Sequence, residues 1–261
     1  MTEPLDRGAV ESHLSLLHDL ARASGADGKL VLFAVGENPQ TGRKVKPQAQ
    51  HFAIGDVNMM VEAAEGYAKQ AHLNVYAPWA IFRNDLERGA KGDEKHVIAT
   101  LALVADLDND KAELPLGTLP LEAPYVIESS SGNFQPVFPL SRALANGEAK
   151  ALAVSLADFI GGDAGTKDLS HVWRVPGTLN WPNKKKLQRG RPPEPQPVRV
   201  AKLSPERWSI LPRCRPRSRP ASRTARPRAG REAAPEATRR SIGCSSYAAP
   251  SSRRCCGLRR R

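Results

Sequence analysis

The sequence predicts a mixed α+β body followed by a basic tail with no core of its own. Three observations carry this. Apolar runs of strand length recur from residue 29 to residue 140, the strongest being HVIATLALVADLD at 96–108. Three stretches place apolar residues at helical spacing. From residue 213 onward Phe, Met and Val disappear, so that segment cannot bury enough apolar surface to offset the entropy of ordering it.

Residues 5–23 read as a helix, because Val10, Leu14, Leu17 and Ala21 share a face and Gly25 follows as a stop. KLVLFAV at 29–35 is a strand. The Gly- and Pro-containing stretch around Gly36, Pro39, Gly42 and Pro47 reads as a polar loop, with a second strand at 51–54. Asp56 is placed to cap a helix running to about Gln70. Residues 74–82 are extended, bent at Pro78. Residues 96–108 read as a central, mostly buried strand. PYVIES at 124–129 and residues 136–140 form two more strands around a Ser-Ser-Gly-Asn turn. Residues 147–160 are a helix closed by Gly161 and Gly162. Short extended pieces follow at 171–175, before a Pro-Gly turn, and at 198–203. The expected division is a folded body, 1–203, and a Pro/Arg-rich linker and disordered tail, 204–261.

The net charge of +12 is unevenly placed. Residues 213–261 hold 15 Arg, no Lys and 2 Glu, while the rest of the chain has 24 basic and 25 acidic residues. The tail therefore carries the basicity, either as a phosphate-binding extension or as the out-of-frame end of a longer gene. All four cysteines, Cys214, Cys244, Cys255 and Cys256, lie there. The body is thus expected to hold neither disulfide nor thiolate metal site. No apolar stretch is long enough to span a bilayer and no secretory signal opens the chain, so a cytoplasmic protein without membrane partners is expected. GxxxxGK is absent, which excludes a P-loop motor.

Three features carry chemistry. Asp106 and Asp108 end the apolar strand two residues apart, so their side chains share a face. Convergent carboxylates raise each other's pKa unless a cation intervenes; hard oxygens suit Mg²⁺ or Mn²⁺ with substrate phosphates completing the shell. A lone DxD also reads as a polar strand end entering a turn. In ESSSGNFQPVF at 128–138, turn amides and Ser hydroxyls suit phosphate oxygens and Gln135 suits a phosphate or a base; the plain alternative is a hairpin turn. In residues 161–186, Asp163 and Asp168 precede Arg174, Asn180 and the run Lys184, Lys185, Lys186. A third carboxylate could complete a metal site, and the cations suit a triphosphate or a template backbone. A Lys run is otherwise a solvated face. Trp173 and Trp181 suit base stacking or simple burial.

The order and spacing of these features resemble the RepB-like primase domains of plasmids and phages, within the archaeo-eukaryotic primase (primase-polymerase) superfamily. The hhhDhD motif is matched by Val104-Ala105-Asp106-Leu107-Asp108. An SxGNxQ-like turn is matched by Ser130-Ser131-Gly132-Asn133-Phe134-Gln135, with Gln135 where many relatives carry His. The R-x-PG-x-x-N-x-K-like run is matched by Arg174-Val175-Pro176-Gly177-Thr178-Leu179-Asn180, although the lysines follow at longer spacing. The resemblance covers about residues 28–200.

It implies an α+β archaeo-eukaryotic primase fold of RRM-like antiparallel sheet modules flanked by helices. It implies a DNA primase, a DNA-directed nucleotidyltransferase that makes primers on single-stranded DNA by two-metal transfer. Asp106, Asp108 and Asp168, with Asp163 as alternate, would hold Mg²⁺ or Mn²⁺. Ser131, Asn133, Gln135, Arg174, Asn180 and Lys184 would bind the nucleoside triphosphate, and Lys185, Lys186 and Arg189 the nucleic acid. A replicative helicase or other replication proteins are the expected partners. The competing classes are a non-catalytic nucleic-acid-binding replication protein on the same fold and a DxD metal-dependent transferase.

Overall fold

The first helix shows how local sequence sets the architecture. In the computed structural model, which describes residues 5–108, 116, 119, 121–161 and 164–204, α1 spans Arg7–Ser24. The Asp6 carboxylate accepts from the Ala9 amide at 3.0 Å, and Gly25, at φ 67°, closes the helix in the left-handed conformation. Val10, Leu14, Leu17 and Ala21 are buried along one face. They pack with Met60, Val61 and Ala64 of α2 (Val57–Ala68) and with Leu30, Leu32 and Val75 of the sheet.

The sheet is antiparallel throughout. Its order is β11 (Arg199–Leu203), β6 (Tyr125–Ser130), β7 (Asn133–Leu144), β5 (Val97–Val104), β4 (Ala80–Phe82), β1 (Lys29–Glu37), β3 (Leu73–Ala77) and β8 (Trp173–Arg174). A further strand, β2 (Lys44–Ala53), pairs with β1 alone. β9 (Leu179–Asn180) and β10 (Gln196–Pro197) form a separate two-stranded ribbon. Two helices, α1 and α2, share one core cluster. On another, α3 (Asn146–Phe159) buries Ala149 and Ala153 with Val31, Phe82 and Val97. The last helix, α4 (Lys184–Gln188), is short and buries no residue.

Most expected elements are present within a few residues. Three differences have physical causes. β2 begins at Lys44, inside the expected polar loop, because a strand paired on one side needs no apolar run; most of its residues are exposed or half-buried. Extended residues 74–82 split into β3 and β4 around Pro78 and Trp79, so β1 pairs with both, through Phe33↔Tyr76 and Lys29↔Phe82. The two-residue strands β9 and β10 and the helix α4 carry no periodic signal. Among the described residues no helix is long and apolar enough to cross a membrane. The expected tail lies outside the described residues.

Candidate active site

β5 ends at Val104, but the chain stays zipped to β7. The Ala105 amide donates to Pro136 O at 3.0 Å, the Leu107 amide to Phe134 O at 2.9 Å, and the Phe134 amide back to Leu107 O at 3.1 Å. Ala105 and Leu107 are buried and pack with Ile160. Alternation then turns Asp106 and Asp108 to the opposite face, that of Ala102 and Val104. Both carboxylates are half-buried.

Three cations face this strand end. Arg174 on β8 is buried at 7% exposure, and its guanidinium carbon lies 4.5 Å over the Tyr76 ring. Its main-chain amide donates to Gln135 Oε1 at 3.2 Å. Burial lowers its pKa; Asp106 and Asp108 oppose that shift by favouring the charged form. Lys186 is pushed down to about 8 by burial first, then by Arg174 and Arg191, with Asp108 and Asp106 partly restoring it. Arg191 Nη1 donates to Ser130 Oγ at 3.0 Å and Nη2 to Asn133 Oδ1 at 3.1 Å, and Nη2 lies 3.8 Å from Asp108 Oδ1. It thus ties the strand-end acid to the 130–133 turn. Ser130, Asn180, Lys186 and Arg191 line one small cleft.

The turn itself is self-contained. Gly132 takes φ 73°, and the Asn133 side-chain amide donates to Ser130 Oγ and Ser131 O, each at 3.0 Å. The Ser131 amide donates to Gln196 Oε1 and the Gly132 amide to Glu128 Oε1. Two of the turn amides expected to meet phosphate are therefore occupied, and Ser131 is exposed while Ser130 lines the cleft. Asn180 is buried, and its Nδ2 donates to Ser129 O at 2.6 Å.

The Asp168 carboxylate accepts from the Ser170 amide at 2.9 Å and from Ser170 Oγ at 3.0 Å, and its charge acts on Lys91. Asp163 lies outside the described residues. Among the described residues no three of His, Cys, Asp and Glu gather into a group able to hold a metal ion; Asp168 lines a cavity with Ala102 and Val104, on the strand face that carries Asp106 and Asp108. Lys184 is exposed; its main-chain amide donates to Glu37 Oε1 and its side chain lies beside Gly42. Lys185 and Arg189 are exposed. Trp173 is core, tilted against His171 at 4.5 Å, and Trp181 is half-buried against His72. Sequence reasoning missed Arg191 and Tyr76 as site residues. Tyr76 had a readable signal only once β3 was paired with β8.

The antiparallel α+β sheet thus carries a DxD strand end faced by three cations. Residues 101–208 match the family model of the RepB DNA-primase N-terminal domain, so this stretch of the chain is similar to that family. Among solved structures the chain is similar to primase RepB′, with 18% identity over 72% of this chain and 57% of that one, at TM-score 0.43. It thus spans little more than half the length of that protein. It is also similar to the catalytic domain of primase RepB′ in complex with initiator DNA, with 17% identity over 74% and 85% of the two chains at TM-score 0.42. The archaeo-eukaryotic primase domain of the cyanophage S-2L primase-polymerase gives 14% identity over 80% and 100%, at TM-score 0.47. No curated protein matches the sequence.

Proposed function

We propose that this chain is a DNA primase that joins nucleoside triphosphates on a single-stranded DNA template, with Asp106 and Asp108 as its catalytic carboxylates. The observation that carries the reading is two carboxylates on one strand face opposed by Arg174, Lys186 and Arg191. A site that gathers cations around paired acids suits a polyphosphate and a divalent ion together. The family match over residues 101–208 supports primer synthesis as the reaction.

The donor set fits a divalent ion. Asp106 and Asp108 offer hard oxygens from one face and are partly sheltered from water. They would hold Mg²⁺ or Mn²⁺, with water and triphosphate oxygens as the other ligands. Such an ion, when bound, supplies charge neutralisation for the triphosphate and a lowered pKa for the attacking hydroxyl. The chain's own groups do the rest. Arg174 presents a planar guanidinium from a sheltered position, where its attraction for phosphate oxygens is least screened. Lys186 adds a charge from the helix that borders the cleft. Arg191 couples the acid at 108 to the turn at 130–133, so the two move as one unit.

The test is labelled-oligonucleotide synthesis on single-stranded DNA with Mg²⁺ or Mn²⁺, comparing the native chain with Asp106→Asn plus Asp108→Asn. Synthesis by the native chain and a loss of about 10³-fold or more in the double variant are expected, the scale of removing the main charge-stabilising groups of a site. DNA binding by the native chain with no synthesis would instead indicate a non-catalytic replication protein. Undiminished synthesis by the double variant would remove the two acids from the chemistry.

A further inference from the structure

We propose that Asn74 and Tyr76, alternate residues on one face of β3, together with His72 just ahead of the strand, form a positioning row that holds the 174–186 segment in place. The proposal rests on the reading of Arg174 and Lys186 as triphosphate-binding groups. Leu73, Val75 and Ala77 point into the core and are buried there. The intervening residues therefore face the other way, and each meets the segment at a different point. Tyr76 pairs with Arg174 across β3 and β8 and puts its ring 4.5 Å from the guanidinium carbon. Asn74 grips the backbone of Trp181: its Oδ1 accepts from the Trp181 amide at 2.7 Å and its Nδ2 donates to Trp181 O at 3.2 Å. It pairs with that residue as a neighbouring strand would. His72 meets the Trp181 ring edge-on at 4.9 Å.

The segment needs such an anchor. Between Arg174 and Lys186 it has only a two-residue strand and the start of a five-residue helix. The Asn180 contact to Ser129 O, the Lys184 amide on Glu37 and the Asn183 cap hold it at other points, and the row holds it at Arg174 and Trp181. The row itself is firmly set. His72 is the one non-glycine residue at positive φ, 63°, among the described residues; such a conformation persists where the surroundings impose it. Room for it comes from Gly36 on β1, where a Cβ would lie 1.7 Å from His72 O. All three residues lie outside the 101–208 stretch that the family model matches. They act through Arg174 and Trp181, and so are positioning residues.

The experiment uses the full chain and the variants Tyr76→Leu, Tyr76→Phe, Asn74→Leu and Asn74→Asp. Two quantities are read. One is the ¹⁵N–¹H side-chain signal of Arg174, assigned by its loss in Arg174→Lys. The other is affinity for Mg²⁺-dATP by titration, with thermal unfolding and single-stranded DNA binding followed alongside. Tyr76→Leu is expected to shift or broaden the Arg174 signal and weaken Mg²⁺-dATP about tenfold, the scale of a sheltered cation–aromatic contact. Tyr76→Phe retains both, because the ring face is what the guanidinium meets. Asn74→Leu weakens Mg²⁺-dATP by a similar factor, and Asn74→Asp, which keeps the acceptor for the Trp181 amide, recovers part of it. DNA binding stays unchanged in all four. The proposal is overturned if Tyr76→Leu leaves the Arg174 signal and the affinity at native values. It is equally overturned if Phe fails to rescue, or if the losses follow the unfolded fraction alone. A native chain that binds no Mg²⁺-dATP, while the Arg174 signal still tracks the ring at 76, would remove the functional reading and leave the positioning row standing.

Discussion

Beneath α1, His13, Trp79 and Tyr125 form one buried polar cluster; at the end of β5, Asp106, Asp108, Arg174, Lys186 and Arg191 form another. In the first, His13 Nδ1 and the Tyr125 hydroxyl lie 2.9 Å apart and the His13 ring meets Trp79 edge-on at 5.1 Å. Burial pushes His13 down to about 3 and pushes Tyr125 up, so both are neutral near pH 7. The second cluster is charged. Among the described residues each leaves a buried donor without a hydrogen-bond partner, Trp79 Nε1 in one and Arg174 Nη1 in the other. A neutral N–H left so costs about 1–3 kcal/mol, and a charged group costs more. A fold that wanted only stability would have neutralised the second cluster as it did the first. The retained charge is what makes it the candidate site.

The sharpest way to break this contrast is Arg174→Met. Primer synthesis is expected to fall by about 10²-fold or more, the scale of losing a charge-stabilising donor. The unfolding midpoint should hold or rise, because a buried, incompletely paired cation is replaced by a side chain that packs. A midpoint that falls with the activity would make Arg174 a structural residue like His13. The reciprocal variant, His13→Ala, removes a fully buried ring and its contact with the Tyr125 hydroxyl. It should cost about 3 kcal/mol in urea unfolding while synthesis per folded molecule stays at the native level.

Acid sharpens the contrast from the neutral side. His18 is buried between α1 and α2, accepts the Gly55 amide at Nδ1 and lies 3.3 Å from the Met60 sulfur. Burial first, then Arg22, lowers its pKa to about 4. Below the unfolded value of about 6.5 the unfolded chain therefore binds more protons than the folded one. His18 thus stabilises fully above pH 6.5 and loses that contribution as pH falls toward 4, a swing on the order of 3 kcal/mol. Urea midpoints measured from pH 7 to pH 4 should show it. His18→Asn keeps an acceptor for the Gly55 amide and should reduce the slope over that window, with His13 supplying the slope that remains; an unchanged slope would assign the loss to other groups.

These clusters also show what a linear sequence reveals. The apolar alternation of β5, the Ser-Gly-Asn turn and the Pro-Gly turn after Arg174 are local patterns, and each was readable. Asp106 and Asp108 were readable as a same-face pair because two-residue alternation is a property of any strand. The division of labour among cations was not. Arg191 sits in a Pro-rich stretch with no periodic signal, and only the folded chain brings it to Asp108 and Asn133. Asp168 precedes Arg174 by six positions, close enough in sequence to suggest a shared site. Its carboxylate is instead taken up by the Ser170 amide and hydroxyl. Side-chain direction in an irregular loop depends on tertiary partners, so spacing alone cannot assign it. The first part of β2, residues 44–50, escaped for the opposite reason: it pairs with β1 on one side and is exposed or half-buried, and hence has no hydrophobic pattern.

The lysine run gives the smallest and most discriminating test. Lys184 and Lys186 are two residues apart, and the family resemblance gives the triphosphate to Lys184 and the nucleic acid to Lys186. In the fold they diverge. Asn183 caps α4 by accepting the Lys186 amide at 2.9 Å, which fixes where the helix starts. Lys184 then lies toward Gly42 and the β1–β2 hairpin, whereas Lys186 lines the cleft with Arg191 and shares the field of Asp108 and Arg174. Lys186→Ala should weaken Mg²⁺-dATP about tenfold, the loss of one sheltered charge-assisted contact. Lys184→Ala should stay within about twofold, since an exposed Lys contributes little. Equal losses would mean the run acts as a diffuse basic surface. A larger loss at Lys184 would mean that the triphosphate approaches from the β1–β2 hairpin, leaving the Arg191 cleft to another ligand.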